Sequence, residues 1–124
     1  TYVINGRSYL KAATDSIAFA VETALTAAFV ALAAKQVCVF FFFIDSAGTI
    51  TVAQSVVVGN AQAAGYVARA FDWPEVANKA CFGALKMETN NAATFTVNAT
   101  DLAAADVVDT FYNVANDYGV PVTV

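Results

Sequence analysis

Ten acidic and six basic side chains carry all the charge of this chain, and it contains no histidine. The acids close enough in sequence to work together are Asp72 with Glu75, and Asp101 and Asp106 with Asp109. Such carboxyls run acid–base chemistry when their surroundings keep one protonated and the other ionised. No motif that would orient a substrate stands beside either group. Asp101 therefore reads as the cap of a turn, and Asp106 and Asp109 as a solvated edge. Asp45-Ser46-Ala47-Gly48 resembles the start of a calcium loop but lacks the further alternating oxygens and the distal Glu. It reads as a tight turn. Without histidine, Ser/His and Cys/His catalysis and most zinc sites fall away. Cys38 and Cys81 lie in separate apolar runs with no CxxC spacing, and read as free thiols acting as small hydrophobes, a disulfide between neighbouring strands being the alternative. No P-loop, GxGxxG or nucleophile elbow is present. The expectation is a protein with no enzymatic activity, no cofactor and no metal.

The composition says where such a chain puts its binding energy. It is 59% hydrophobic and only 13% charged over 124 residues, where a globular domain has about 25% charge. One domain is expected at this length, and its apolar surplus should spill onto the surface as a partner-binding patch. The basic residues Arg7, Lys11, Lys35, Arg69, Lys79 and Lys86 are scattered and the net charge is −4, which argues against nucleic acid. Residues 24–44 have the length of a membrane span, yet Lys35-Gln36 interrupt the middle, where a charge is costly. A short helix over 23–34, a polar break and a buried strand over 37–44 fit better, so no membrane partner is expected. Thr1 to Arg7 has no signal-peptide pattern, and the chain reads as soluble and non-secreted. Asn98-Ala99-Thr100 is a glycosylation sequon, of use only in a secreted chain.

The elements follow from turns. Asn5-Gly6 predicts a type I′ hairpin between residues 2–4 and 8–10. The apolar run 37–44, the turn at 45–48 and the alternating 49–52 predict a second hairpin, its first arm covered on both faces. Residues 81–87, 94–98 and 107–114 read as strands, and Leu102 begins a short helical segment. The predicted class is mainly β, an antiparallel β-sandwich or small barrel with one or two short helices. It becomes α+β if 61–69 and 102–108 are both helices. Residues 1–117 form a single β-rich domain in this reading, and 118–124 an extended tail. Trp73 and Pro74 stand at a chain break as core plug or interface anchor. Tyr118, Val120, Pro121 and Val122 belong to an uncharged tail that either closes its own sheet or adds a strand to a neighbour. These six are the candidate interface residues.

The order of motifs resembles a group of short proteins encoded among the virion structural genes of tailed bacteriophages. The likeness runs through the hairpin at Asn5-Gly6 followed by Lys11-Ala12-Ala13-Thr14-Asp15, through Ile44-Asp45-Ser46-Ala47-Gly48-Thr49-Ile50, and through Phe82-Gly83-Ala84-Leu85-Lys86-Met87-Glu88-Thr89. It continues in Ala93-Thr94-Phe95-Thr96-Val97-Asn98-Ala99-Thr100-Asp101-Leu102 and ends at Thr110-Phe111-Tyr112. The group usually carries Gly where this chain has Asn98, and residues 61–70 have no counterpart in it. The resemblance implies a non-enzymatic capsid decoration or cement protein on the outer surface of the phage head, made in the host cytoplasm. Its expected partners are the major capsid protein and itself, as a homotrimer. A tail or fibre subunit, and a small-ligand-binding β-barrel, are the alternatives.

Overall fold

The computed structural model describes residues 1–15, 17–60 and 73–113. Its organising element is β3, Gln36–Asp45, whose run of Val and Phe suits a strand buried on both faces. It pairs antiparallel with β4 (Ile50–Gln54), β5 (Val58–Gly59) and β6 (Lys79–Thr89). β6 in turn pairs with β7 (Val107–Asn113), giving a five-stranded sheet in the order β4-β3-β6-β7 with β5 beside β3. The strand expected over 37–44 is thus the centre of the sheet. Among the described residues, no helix is long and apolar enough to cross a membrane.

Both predicted hairpins form, and each turn has a local cause. Asn5 (φ 49°) and Gly6 (φ 77°) both lie in the left-handed region that a type I′ turn requires. They join β1 (Tyr2–Ile4) to β2 (Arg7–Tyr9). In the second hairpin one Asp45 carboxylate oxygen accepts the amides of Ala47 (2.9 Å) and Thr49 (2.8 Å), while Gly48 takes φ 83°. That is a turn closed by its own side chain. The hairpins are tied together: the Tyr2 hydroxyl donates to the Asp45 carbonyl at 2.8 Å.

The class is mainly β with antiparallel sheets, as expected, the second sheet being the β1–β2 pair. Side chains alternate about the large sheet into two apolar layers. On one face Cys38, Phe40, Val52, Leu85 and Met87 pack under Leu32 and Phe95, which come from non-strand segments. On the other, Val39, Phe41, Phe43, Ala53 and Ala84 meet Trp73 and Val76. Cys38 and Cys81 belong to opposite layers and both are free.

Among the described residues no α-helix forms, and this corrects two expectations. Residues 23–34 make only a short turn on the Glu22 carbonyl before their backbone is captured by distant partners. Leu32 and Phe95 exchange amide–carbonyl bonds of 2.8 and 2.9 Å, and the Gln54 side chain both accepts the Val30 amide and donates to its carbonyl. Helix propensity in an Ala-rich stretch is a weak preference, overridden when Phe29 and Leu32 are drawn onto the sheet. Residues 102–108 likewise turn and then enter β7. The strand expected over 94–98 reduces to one bridging residue, Phe95. The possible helix at 61–69 lies outside the described residues.

Thr89 locks these segments to the end of β6. Its buried hydroxyl donates to the Ala33 carbonyl (2.6 Å) and accepts the Gln36 amide (3.0 Å). Thr89→Val keeps the shape but strips both groups of their partner. A loss of about 2 kcal/mol in urea unfolding is expected.

Candidate docking surface

An apolar groove opens on the first face of the sheet, beside the N-terminal segment. Its construction starts at Gly83, which lies opposite Phe42 in the β3–β6 register. A Cβ at Gly83 would stand 2.6 Å from Cζ of Phe111, so only the missing side chain lets Phe111 of β7 lie across the strand. The register then shifts between Phe42 and Phe43, leaving Phe82 as the extra residue of a bulge. Three rings consequently gather on Phe42: Phe82 at 6.0 Å, Phe111 at 6.1 Å, and Phe19 at 5.2 Å and nearly perpendicular. With Ile44, Ile50 and Val52 they form the floor, and Lys11, Ala12, Thr14, Ile17 and Ala18 form a wall. The groove encloses about 410 Å³.

A second hollow of about 620 Å³ lies against the other layer, lined by Phe43, Trp73, Pro74, Glu75, Lys79 and Cys81 among others. Trp73 is half-buried, with its ring edge-on to Phe41 at 5.9 Å, and Pro74 is half-buried beside it. Trp73 therefore plugs the layer while part of it faces the hollow. Tyr118, Val120, Pro121 and Val122 lie outside the described residues, as does the whole expected tail.

Glu22, Lys79 and Asp45 serve the fold. The carboxylate of Glu22, only 3% exposed, is held by the Lys79 ammonium and the Thr51 hydroxyl. Burial works to raise its pKa, but the hydrogen bonds from Lys79, Thr51 and the Ala24 amide, with the Lys79 charge, bring it below the ordinary value. Asp45 is also lowered, chiefly by the Thr49 amide. Burial pushes both Cys38 and Cys81 up to about 11, which keeps them as unreactive thiols near neutral pH. Of the acids singled out from sequence, Asp101 accepts the Ala103 amide at 2.9 Å and Asp106 accepts from Asn91 at 3.0 Å. Asp109 lies on β7 opposite Met87, and Asp72 is outside the described residues. Among the described residues no group of three or more His, Cys, Asp or Glu side chains is placed to share a metal ion.

Asn98 takes φ 63° and clasps Phe19 from both sides. Its Oδ1 accepts the Phe19 amide (2.8 Å) and its Nδ2 donates to the Phe19 carbonyl (3.0 Å). A left-handed position suits Gly or Asn alike, and here Asn adds the bonds that place Phe19 at the groove.

No protein-family model, no curated protein and no solved structure matches this chain.

Two features of the groove escape a reading by type and spacing. Lys11 reads simply as a scattered charge, and Phe111 as one residue of an alternating strand. The available signal is the Gly83 gap: a glycine inside a strand, with aromatics at Phe42 and Phe111, marks a place where a ring crosses the sheet.

Proposed function

We propose that this chain is a non-enzymatic structural protein of a tailed-phage virion, a decoration or cement protein that binds the outer surface of the head and stabilises the shell. The observation that carries this reading is a mismatch between interior and surface. Among the described residues every buried side-chain nitrogen and oxygen has a hydrogen-bond partner. The surface, by contrast, holds large aliphatic and aromatic side chains in water: Leu10 is 83% exposed, Val56 74% and Phe111 55%, with Val3, Val30 and Val108 also exposed. Single exposed hydrophobes are ordinary, but Phe111 continues into the apolar groove, so there the exposed surface is a patch. Interaction left unmet by the fold is therefore apolar and faces outward. That supports a docking protein more than a catalyst.

In this reading the major capsid protein is the partner, the chain acts as a homotrimer, and many copies add modest contacts into a large total. Heads assembled without the protein should form normally but lose resistance to heat, and adding it back should restore the resistance. Heads equally robust without it would displace cementing in favour of a tail or fibre role. Sedimentation of the isolated protein decides the trimer, since a monomer at high concentration contradicts it.

A further inference from the structure

We propose that the groove beside the N-terminal segment is a binding site for a free, unbranched aliphatic carboxylate of medium chain length. Two observations meet here. The floor is wholly apolar, four phenylalanine rings with Ile44, Ile50 and Val52, in a space of about 410 Å³. That volume falls toward the lower end of the roughly 300–1,000 Å³ typical of small-molecule pockets. The wall carries one lysine. Lys11 is half-buried and lines the groove, and its Nζ stands 3.6 Å from where a Cβ on Gly48 would lie.

Among the described residues that ammonium has no ion-pair partner. The ion pairs among the described residues are Lys79 with Glu22 and Lys86 with Glu88. Asp45, in the turn beneath Lys11, spends a carboxylate oxygen on the amides of Ala47 and Thr49. Other polar groups of the lining are engaged as well: the Tyr2 hydroxyl donates to Asp45, and the Thr14 hydroxyl is directed to the Ala12 carbonyl. A cation at the edge of an apolar trough complements a ligand with one anionic head and an apolar tail. A neutral apolar ligand leaves the ammonium unanswered.

Calorimetric titration of the intact protein with octanoate, decanoate and octanol tests this directly. One decanoate should bind per chain. Each buried methylene contributes about 0.8 kcal/mol, so affinity should rise about fourfold per methylene from octanoate to decanoate. Octanol has the same tail length without the charge and should bind about tenfold more weakly than octanoate. Lys11→Met should bring octanoate and octanol to the same affinity. Ala18→Trp, at an exposed position of the wall, should abolish decanoate binding while the melting temperature stays unchanged. The chain-length and head-group comparisons use the unaltered protein, so they stand even if a variant folds poorly. Absence of saturable decanoate binding overturns the proposal, as does equal affinity for octanoate and octanol. Binding that survives in a folded Ala18→Trp overturns it too. If decanoate fails and Ala18→Trp instead blocks self-association, the groove belongs to a second copy of the chain.

Discussion

Phe40→Ala is expected to cost about 3–5 kcal/mol of folding stability, the range for emptying a buried aromatic site. Phe40 sits in the middle of the central strand and is fully buried. Phe19, Phe29 and Phe95 surround it, with centroids at 5.7, 6.0 and 6.3 Å, all edge-to-face. The three rings come from segments with almost no regular structure, which cannot close over the missing ring without losing their own bonds to the sheet. Leu32 and Phe95 hold each other through paired backbone bonds, and Asn98 holds Phe19. The cavity should therefore persist. Against a total of about 5–15 kcal/mol for a domain, the loss is a large fraction. Phe42→Ala, at a half-buried ring on the groove floor, should cost clearly less. Urea unfolding of both variants checks the order. A loss under about 1 kcal/mol at Phe40 would mean that this face of the sheet is not the core.

Glu22→Ala is the second large effect, expected at about 3 kcal/mol, the lower end for a buried ion pair broken on one side. The lower end applies because Lys79 keeps 23% of its side chain exposed and can turn its ammonium toward water. The pH dependence follows from the direction of the shift. Glu22 titrates below its ordinary 4.5 in the folded chain, so its contribution is complete above that value. It is lost as pH falls through the folded pKa. Asp45, lowered from 3.8, acts in the same sense over a lower window. Wild-type stability should thus decline on acidification from about pH 5 downward, and Glu22→Ala should flatten the upper part of that decline. Parallel curves for the two proteins would contradict the assignment.

What the chain reveals before folding is its local chemistry. The β3 run, the Asn5-Gly6 turn and the Asp45 to Gly48 turn are legible because each is decided by neighbouring residues: β-branched and aromatic side chains, a positive φ, a carboxylate reaching its own backbone. Residues 23–34 are misread as helix because their partners lie far along the chain, Phe95 for Leu32 and Gln54 for Val30. Residues 94–98 alternate like a strand, but only Phe95 finds a strand-like partner, and Thr100 folds back to cap the Thr96 amide. The groove is the least legible feature. It depends on a bulge at Phe82, a ring crossing at Gly83 and a lysine brought over the second turn, three events set by the tertiary fold. The missing motif favours free thiols but leaves a disulfide open, and the alternation of the sheet decides it: they sit in opposite layers.

The central claim, attachment to a shell through apolar surface, is tested most directly by co-sedimentation. Purified protein is mixed with tailed-phage heads assembled without it, and the pelleted fraction is followed at low salt and at about 1 M, where charges are screened within about 3 Å. The expected result is saturable binding at a fixed stoichiometry that persists at high salt, because the exposed groups are apolar and the charges few. Protein that stays in the supernatant, or that leaves the heads as salt rises, would contradict the account.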